Sequence, residues 1–387
     1  MNKYIRISIA AMLISLLILF SACTKAPDTT ETSVPTEAET PTFENALDAL
    51  RKTPDLPYIQ SVTVPYKQVY SPVLCGNILY MAVAKSDRSE TDTNRLVAYN
   101  IETGKEELLF TSKQELANMQ SLQTDGKWLV WIDLALYGGE CNIYMMDMQS
   151  REITRVNHFT SEAPSCTSPI YMDGKIYWIE EEKVIGDGED LAIYGHVYVY
   201  DCLTKKKTAI AEVHNIYENN LQLAAKDGKV IWFERIGEVG AYYIYDVESG
   251  KTDTIPSKQP DAMNIQYTDG YIFATETENF KERTPKQLVC VNIQTKEITE
   301  LLPEFSRFDL SNNYLIGFTG SVVWFYSRSG NSIECLPEIA CSNFSDYQVN
   351  ANDEFIIVEQ NEGINKEPFK GLKDEITVRI YKLSERS

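Results

Sequence analysis

Asp173-Gly174-Lys175-Ile176-Tyr177-Trp178 and, further on, His196-Val197-Tyr198-Val199-Tyr200-Asp201 are the two halves of one pattern. Asp-Gly tolerates positive φ, so it closes a tight two-residue hairpin. The residues that follow alternate between the two sides of an extended chain and are rich in β-branched and aromatic types, as a half-buried strand requires. The second half alternates in the same way and stops at an acid that readily initiates a turn. The unit is therefore turn, strand, loop, strand, turn, with no helical period in it.

The same pattern recurs along most of the chain. Its opening turn appears as Cys75-Gly76-Asn77, Asp125-Gly126-Lys127, Asp173-Gly174-Lys175, Asp227-Gly228-Lys229, Asp269-Gly270-Tyr271, Asn312-Asn313-Tyr314 and Asn352-Asp353-Glu354. The copies lie 40 to 54 residues apart, about 46 on average, which is the length of a four-stranded propeller blade. The second alternating run ends in Asn or Asp in most copies (Asn100, Asp147, Asp201, Asp246, Asn292) and runs into turns such as Glu102-Thr103-Gly104-Lys105 and Glu248-Ser249-Gly250-Lys251. With a strand before the opening turn (Pro169-Ile170-Tyr171-Met172) and one after the closing turn (Lys207-Thr208-Ala209-Ile210-Ala211), each copy holds four antiparallel strands. No copy has enough apolar surface to fold alone, so neighbouring sheets must pack face to face.

The run Ser-Pro, Asp-Gly-Lys, aliphatic-aromatic strand, Tyr-x-Tyr-Asp, Thr/Ser-Gly-Lys resembles the repeat of the TolB-like (WD40-like) β-propellers, most closely from Ser168-Pro169 to Lys206. The resemblance covers roughly residues 57–387 and implies an all-β, seven-bladed β-propeller of four-stranded antiparallel blades. The closing turns are also similar to quinoprotein repeats, but the Trp those carry after the turn is replaced here by Glu106-Glu107 and Thr252-Asp253. A propeller by itself names no activity, since the fold hosts binding proteins, scaffolds and enzymes.

Residues 58–66 alternate as a strand ahead of the first repeat, while the last repeat ends without room for its fourth strand. One explanation serves both facts: the N-terminal strand pairs with residues 376–383 and closes the ring, leaving no long free edge.

Ahead of the repeats, residues 1–22 read as an export leader: Lys3 and Arg6, an apolar run from Ile7 to Phe20, then small residues. A run of fourteen residues is too short to span a bilayer. Phe20-Ser21-Ala22-Cys23 resembles a bacterial lipobox, which implies lipidation of Cys23, export and attachment to the cell membrane. Residues 23–42 are Thr, Pro, Glu, Ser and Ala with almost no large apolar side chain, a tether that cannot bury enough surface to fold. Within the connector 43–56, Phe43, Ala46, Leu47 and Leu50 form the apolar stripe of a short helix over 43–52.

The formal net charge is −20. Such a field repels nucleic acid and favours cationic groups or solubility of an exported domain. Apart from Cys23, seven cysteines are present without any CxxC or Cys/His metal spacing, so they read as buried thiols; Cys335 and Cys341 are close enough in sequence to bridge. The three histidines (His158, His196, His214) flank no nucleophile motif, and no Gly-rich phosphate loop occurs.

Propeller geometry puts the opening and closing turns on one face and the second-to-third strand connections on the other. The latter are long and acidic, at residues 87–94, 180–190, 234–238, 276–283 and 359–367. Loops on a rigid scaffold are where function concentrates. The densest carboxylates, Glu180, Glu181, Glu182, Asp187, Glu189 and Asp190, are therefore the candidate ligand-binding residues. They offer either a solvated acidic loop or the oxygen ligands of a Ca²⁺ ion, without the spacing of a recognised calcium loop. No catalytic constellation is present. The expected partner is an envelope protein or glycan, bound without catalysis, with a carbohydrate-active propeller enzyme as the alternative. Trp178, Trp232 and Tyr80 sit at one offset from their turns and read as sheet-packing residues.

Overall fold

A computed structural model of the chain describes residues 59–84, 92–135, 140–160, 166–185, 192–214, 222–236, 239–278, 286–303, 307–319, 322–336, 341–342, 344–349, 353–359 and 375–385. All the described residues belong to one compact unit within residues 42–387. The leader, Cys23, the tether and the 43–52 helix lie outside the described residues.

Seven antiparallel sheets follow one another, each four strands deep. Blades one to six occupy residues 68–111, 117–159, 170–214, 223–256, 261–303 and 307–335. Blade six also takes on the two-residue strand Cys341–Ser342. Blade seven combines Phe344–Val349, Glu354–Glu359 and Ile376–Lys382 with the N-terminal strand Ile59–Val64 as its outermost member. That last pairing is the ring closure expected from the sequence: Ile59 faces Tyr381, Val62 faces Val378 and Val64 faces Ile376.

The turns form for the reasons the residues suggest. In Asp173-Gly174, Asp227-Gly228 and Asp269-Gly270 both residues have φ between 50° and 80°, the primed-turn geometry whose twist matches the flanking strands. At the closing turns, the acid ending the third strand folds back onto the backbone. Asp147 Oδ1 accepts from the amides of Gln149 and Ser150 at 2.8 and 2.9 Å, and Asp201 Oδ1 accepts from those of Leu203 and Thr204 at 3.1 and 2.7 Å. These backbone donors hold both carboxyls below the usual range. Asn100 and Asn292 do the same job with an amide oxygen. The left-handed position that follows is glycine at Gly104 and Gly250 but Arg151, Lys205 and Lys296 elsewhere.

The core is seven apolar clusters, one in each seam between neighbouring blades. Strand alternation divides each blade between its two seams. In blade three, Ile176 and Trp178 join the seam with blade two, while Tyr177 and Ile179 join the seam with blade four. In blade seven, Ile356 and Val358 pack toward blade one, and Phe355 and Ile357 toward blade six. Val62 and Val64 of the N-terminal strand enter the first of these, whereas Ser61 and Thr63 are exposed.

Burying a valine contributes about 1.5–3 kcal/mol, and a buried unpaired charge costs several more. Val62→Asp with Val64→Asp is therefore expected to lower the thermal midpoint by at least about 5 °C or to prevent folding. Ser61→Asp with Thr63→Asp, on the same strand, should change it by no more than about 1 °C. Thermal unfolding of the two double variants checks whether this strand closes the ring.

Candidate ligand-binding channel and loop-face carboxylates

The innermost strands of the seven blades surround a central cavity of about 610 Å³. Its wall is polar, with Gln120, Gln123, Gln222, Asn264 and Gln266 supplying amides, Ser71, Ser121, Thr167 and Ser168 supplying hydroxyls, and Asp309 and Asp346 supplying carboxylates. Among the described residues no lysine or arginine lines it.

A repeated distortion builds this wall. In blades one, two and five the pairing of the first strand with the second slips, between Tyr70 and Val73, Gln120 and Gln123, and Met263 and Gln266. The extra residue takes a left-handed conformation, at Ser71 (φ 45°), Ser121 (φ 55°) and Asn264 (φ 53°). A bulge takes amides out of the ladder, and here neighbouring blades satisfy them. Ser71 N donates to Asp346 of blade seven. Ser121 N donates to Ser71 Oγ at 2.9 Å, and Ile265 N to Gln222 Oε1 at 3.1 Å. Gln123 accepts from Tyr171 N at 2.8 Å and donates to Pro169 O at 2.7 Å, while Gln266 donates to Asp309 at 3.0 Å. The channel lining is thus also a set of bonds between blades. Burial first, and the nearby Asp346 second, push the Tyr70 hydroxyl up.

The acidic stretch around Glu180 is not the loop that its composition suggests. The second strand of blade three runs on to Ile185, and that of blade four to Ile236. Glu180 accepts from Lys207 Nζ at 2.6 Å, Asn157 Nδ2 at 3.0 Å and Trp178 Nε1 at 3.3 Å. Lys207 in turn lies 4.0 Å from the centre of the Tyr198 ring. Glu182 accepts from Tyr198 OH at 2.6 Å and pairs with His196 Nδ1 at 2.9 Å, bonds that hold its carboxyl below the usual range. Glu181, between them, is buried. The three consecutive acids therefore do not converge on one point. Opposite them Gly195 is obligatory, because a Cβ there would lie 2.1 Å from the Glu180 carbonyl oxygen. Asp187, Glu189 and Asp190 lie outside the described residues. Among the described residues no group of three or more His, Cys, Asp or Glu is arranged to hold a metal ion.

Glu180 belongs to a series that the sequence reading missed. Asp133, Glu180, Glu234 and Glu276 are each the sixth residue of the second strand in four successive blades, and each of the four is bound by the preceding blade or by the connection that leaves it. Ser112 Oγ donates to both oxygens of Asp133 at 2.8 Å. Asn157 bonds Glu180, and His214 N donates to Glu234 at 3.1 Å. Glu276 accepts from Lys258 N and Gln259 N, each at 3.2 Å, and from Tyr242 OH at 2.7 Å. The visible signal was Trp131-Ile132-Asp133, Trp178-Ile179-Glu180 and Trp232-Phe233-Glu234, an acid two residues beyond a packed tryptophan. Trp178, Trp232 and Tyr80 are buried, as expected for packing residues. Trp178 stacks on Tyr198 and Trp232 on Tyr243, with ring centres 5.9 and 5.5 Å apart.

No protein-family model matches the chain, and no curated protein matches it. Solved structures do. The β-propeller domain of the Trilobed protease from Pyrococcus furiosus, which has an open velcro topology, is similar at a TM-score of 0.52 and 14% identity, over 76% of this chain and 91% of that one. An oligogalacturonate lyase in complex with manganese is similar at a TM-score of 0.51 and 9% identity, over 86% and 92%. TolB from Acinetobacter baumannii aligns at a TM-score of 0.41 and 13% identity over 62% of this chain, which spans 58% of TolB. At such identities the first two speak for the β-propeller fold and for nothing finer. Unlike the open velcro ring, this one is closed by its N-terminal strand.

Of the four acids that latch one blade to the next, three carry a pH signature: Asp133, Glu234 and Glu276. Burial pushes Asp133 up to about 6 against its Ser112 bonds, with Asp92 adding to the rise, and burial also raises Glu234 and Glu276. A carboxyl held above its unfolded value penalises the fold only when ionised. The penalty is absent below the unfolded value near 4, grows between 4 and 6, and is complete above 6. For Asp133 it amounts to about 3 kcal/mol. Asp133→Asn is expected to remove that fall, so that wild type and variant diverge by up to about 3 kcal/mol between pH 4 and 7. Denaturant unfolding across that range measures it, and parallel curves would mean that Asp133 titrates normally.

Proposed function

We propose that the chain is an exported lipoprotein, held at the cell membrane through lipid on Cys23, whose propeller is a non-catalytic binding module for an envelope protein or glycan. The observation that carries the reading is the central channel, whose wall combines amides, hydroxyls and two carboxylates on a closed, rigid ring. Amide side chains both donate and accept, which suits hydroxyl-rich groups. The carboxylates Asp309 and Asp346 in the wall and a net charge of −20 favour neutral or cationic groups over polyanions. Nucleic acid is disfavoured on the same ground. The acids Glu180, Glu182, Asp187, Glu189 and Asp190 on the loop face are a second contact surface in this reading, and a Ca²⁺ ion there would serve that surface.

The carbohydrate-active alternative draws on the likeness to an oligogalacturonate lyase. The charge of the channel opposes an acidic substrate of that kind, because uronate carboxylates would face Asp309 and Asp346.

Membrane pull-downs with the full-length protein test the binding reading. Gln120→Trp, which fills the channel, is expected to cut partner recovery at least tenfold. If neutralising the acids of residues 180–190 leaves the same partners, that stretch is removed from the surface. Turnover of an envelope polysaccharide or peptide by the purified protein would overturn the non-catalytic role. For the anchor, Cys23→Ser is expected to shift the protein from the detergent phase to the aqueous phase in phase partitioning and to abolish labelling by fatty acid.

A further inference from the structure

Cys141 and Cys166 bring their sulfurs to 4.0 Å across the seam between blades two and three. Both are thiols, both are half-buried, and both pack on the apolar cluster of that seam. Their backbones are held independently. Cys141 opens the third strand of blade two, paired with Leu134 on one side and Phe159 on the other. Cys166 forms an antiparallel bridge with Glu180 of blade three. A disulfide needs the sulfurs at about 2.05 Å, so some 2 Å must be closed. Bridging therefore calls for rotation about the two Cα–Cβ bonds to bring the sulfurs together.

We propose that Cys141 and Cys166 form a redox-active pair that takes small disulfide oxidants and closes into a bridge stapling blade two to blade three. The thiolate of Cys141 attacks a disulfide RS–SR, expelling one RS⁻ and leaving a mixed disulfide on Cys141. Cys166 then loses its proton to solvent and attacks the Cys141 sulfur, expelling the second RS⁻. The two cysteines lose two electrons and two protons, and RS–SR becomes two RSH. Its hydrogen bond to Cys141 and its burial hold the Cys166 thiol far above the ordinary range, so its attack, the second step, is the slow one. The bridge closes a loop between positions 25 apart that contains the outer strand of blade two, Ile153–Phe159. It lies next to Glu180, so it stiffens the second strand of blade three where its acidic stretch begins. An oxidising compartment is where it would matter, and to that extent it rests on the export reading.

The test uses purified full-length protein, so its outcome is independent of where the protein resides. After full reduction and titration with glutathione disulfide, the remaining thiols are alkylated and peptides mapped by mass spectrometry. The expected result is loss of two thiols, one disulfide-linked peptide pair containing Cys141 and Cys166, and a thermal midpoint raised by about 5 °C that falls again with dithiothreitol. The double variant Cys141→Ser, Cys166→Ser should keep its circular dichroism and lose the response to dithiothreitol. Alkylation of both residues after oxidation, or pairing of either with another cysteine, in protein of unchanged circular dichroism would overturn the proposal.

Discussion

A four-stranded sheet with apolar residues on both faces cannot cover itself. Each blade here puts alternate residues of its second strand into two different seams, as Ile176 and Tyr177 do in blade three. Every blade therefore needs a neighbour on each side, and a row of such sheets is stable only when its last member meets its first. The N-terminal strand satisfies that demand. It contributes Val62 and Val64 to the seam between blades seven and one and gives the last blade its fourth strand. The channel, the latches and the thiol pair all exist because adjacent blades are held face to face.

The repeat was legible because its signals are local. Asp-Gly pairs at positive φ, Asx residues that cap the closing turns, and period-two strands each report their structure without reference to the rest of the chain. Ring closure was legible by subtraction, from one strand too many at the start and one too few at the end. The latch acids were not, because composition assigns a run such as Glu180-Glu181-Glu182 to solvent, whereas tertiary contacts with Lys207, Asn157 and Tyr198 keep it in strand. The bulges at Ser71, Ser121 and Asn264 were equally hidden, since their polar residues in the first strand look like ordinary strand-end residues until the ring gathers them. The proximity of Cys141 and Cys166 depends on the seam between two blades and has no sequence signature at all.

An acid count is a poor guide to a site in this chain. The same residue type is used in opposite electrostatic senses. Asp147 and Asp201 are held ionised by backbone donors at exposed turns, and Asp133, Glu234 and Glu276 are pushed toward neutrality by burial in the seams. Many of the carboxylates behind the net charge of −20 thus serve the architecture, and their density on one stretch reflects the repeat.

What separates the channel from these structural acids is that its polar groups meet at one space. Asp346, Ser71 and Gln222 bind amides that bulges have withdrawn from the sheets, so the wall is polar because the ring had backbone groups to satisfy. A molecule entering the channel meets side chains already fixed by bonds to the next blade. Little conformational entropy is left for those side chains to lose on binding, and that preorganisation favours recognition. A group that displaced Gln123 or Asp346 would have to replace a bond between blades as well as its own hydration. Under the binding reading proposed above, selection in this channel would fall on ligands that add to the existing network and against those that break it.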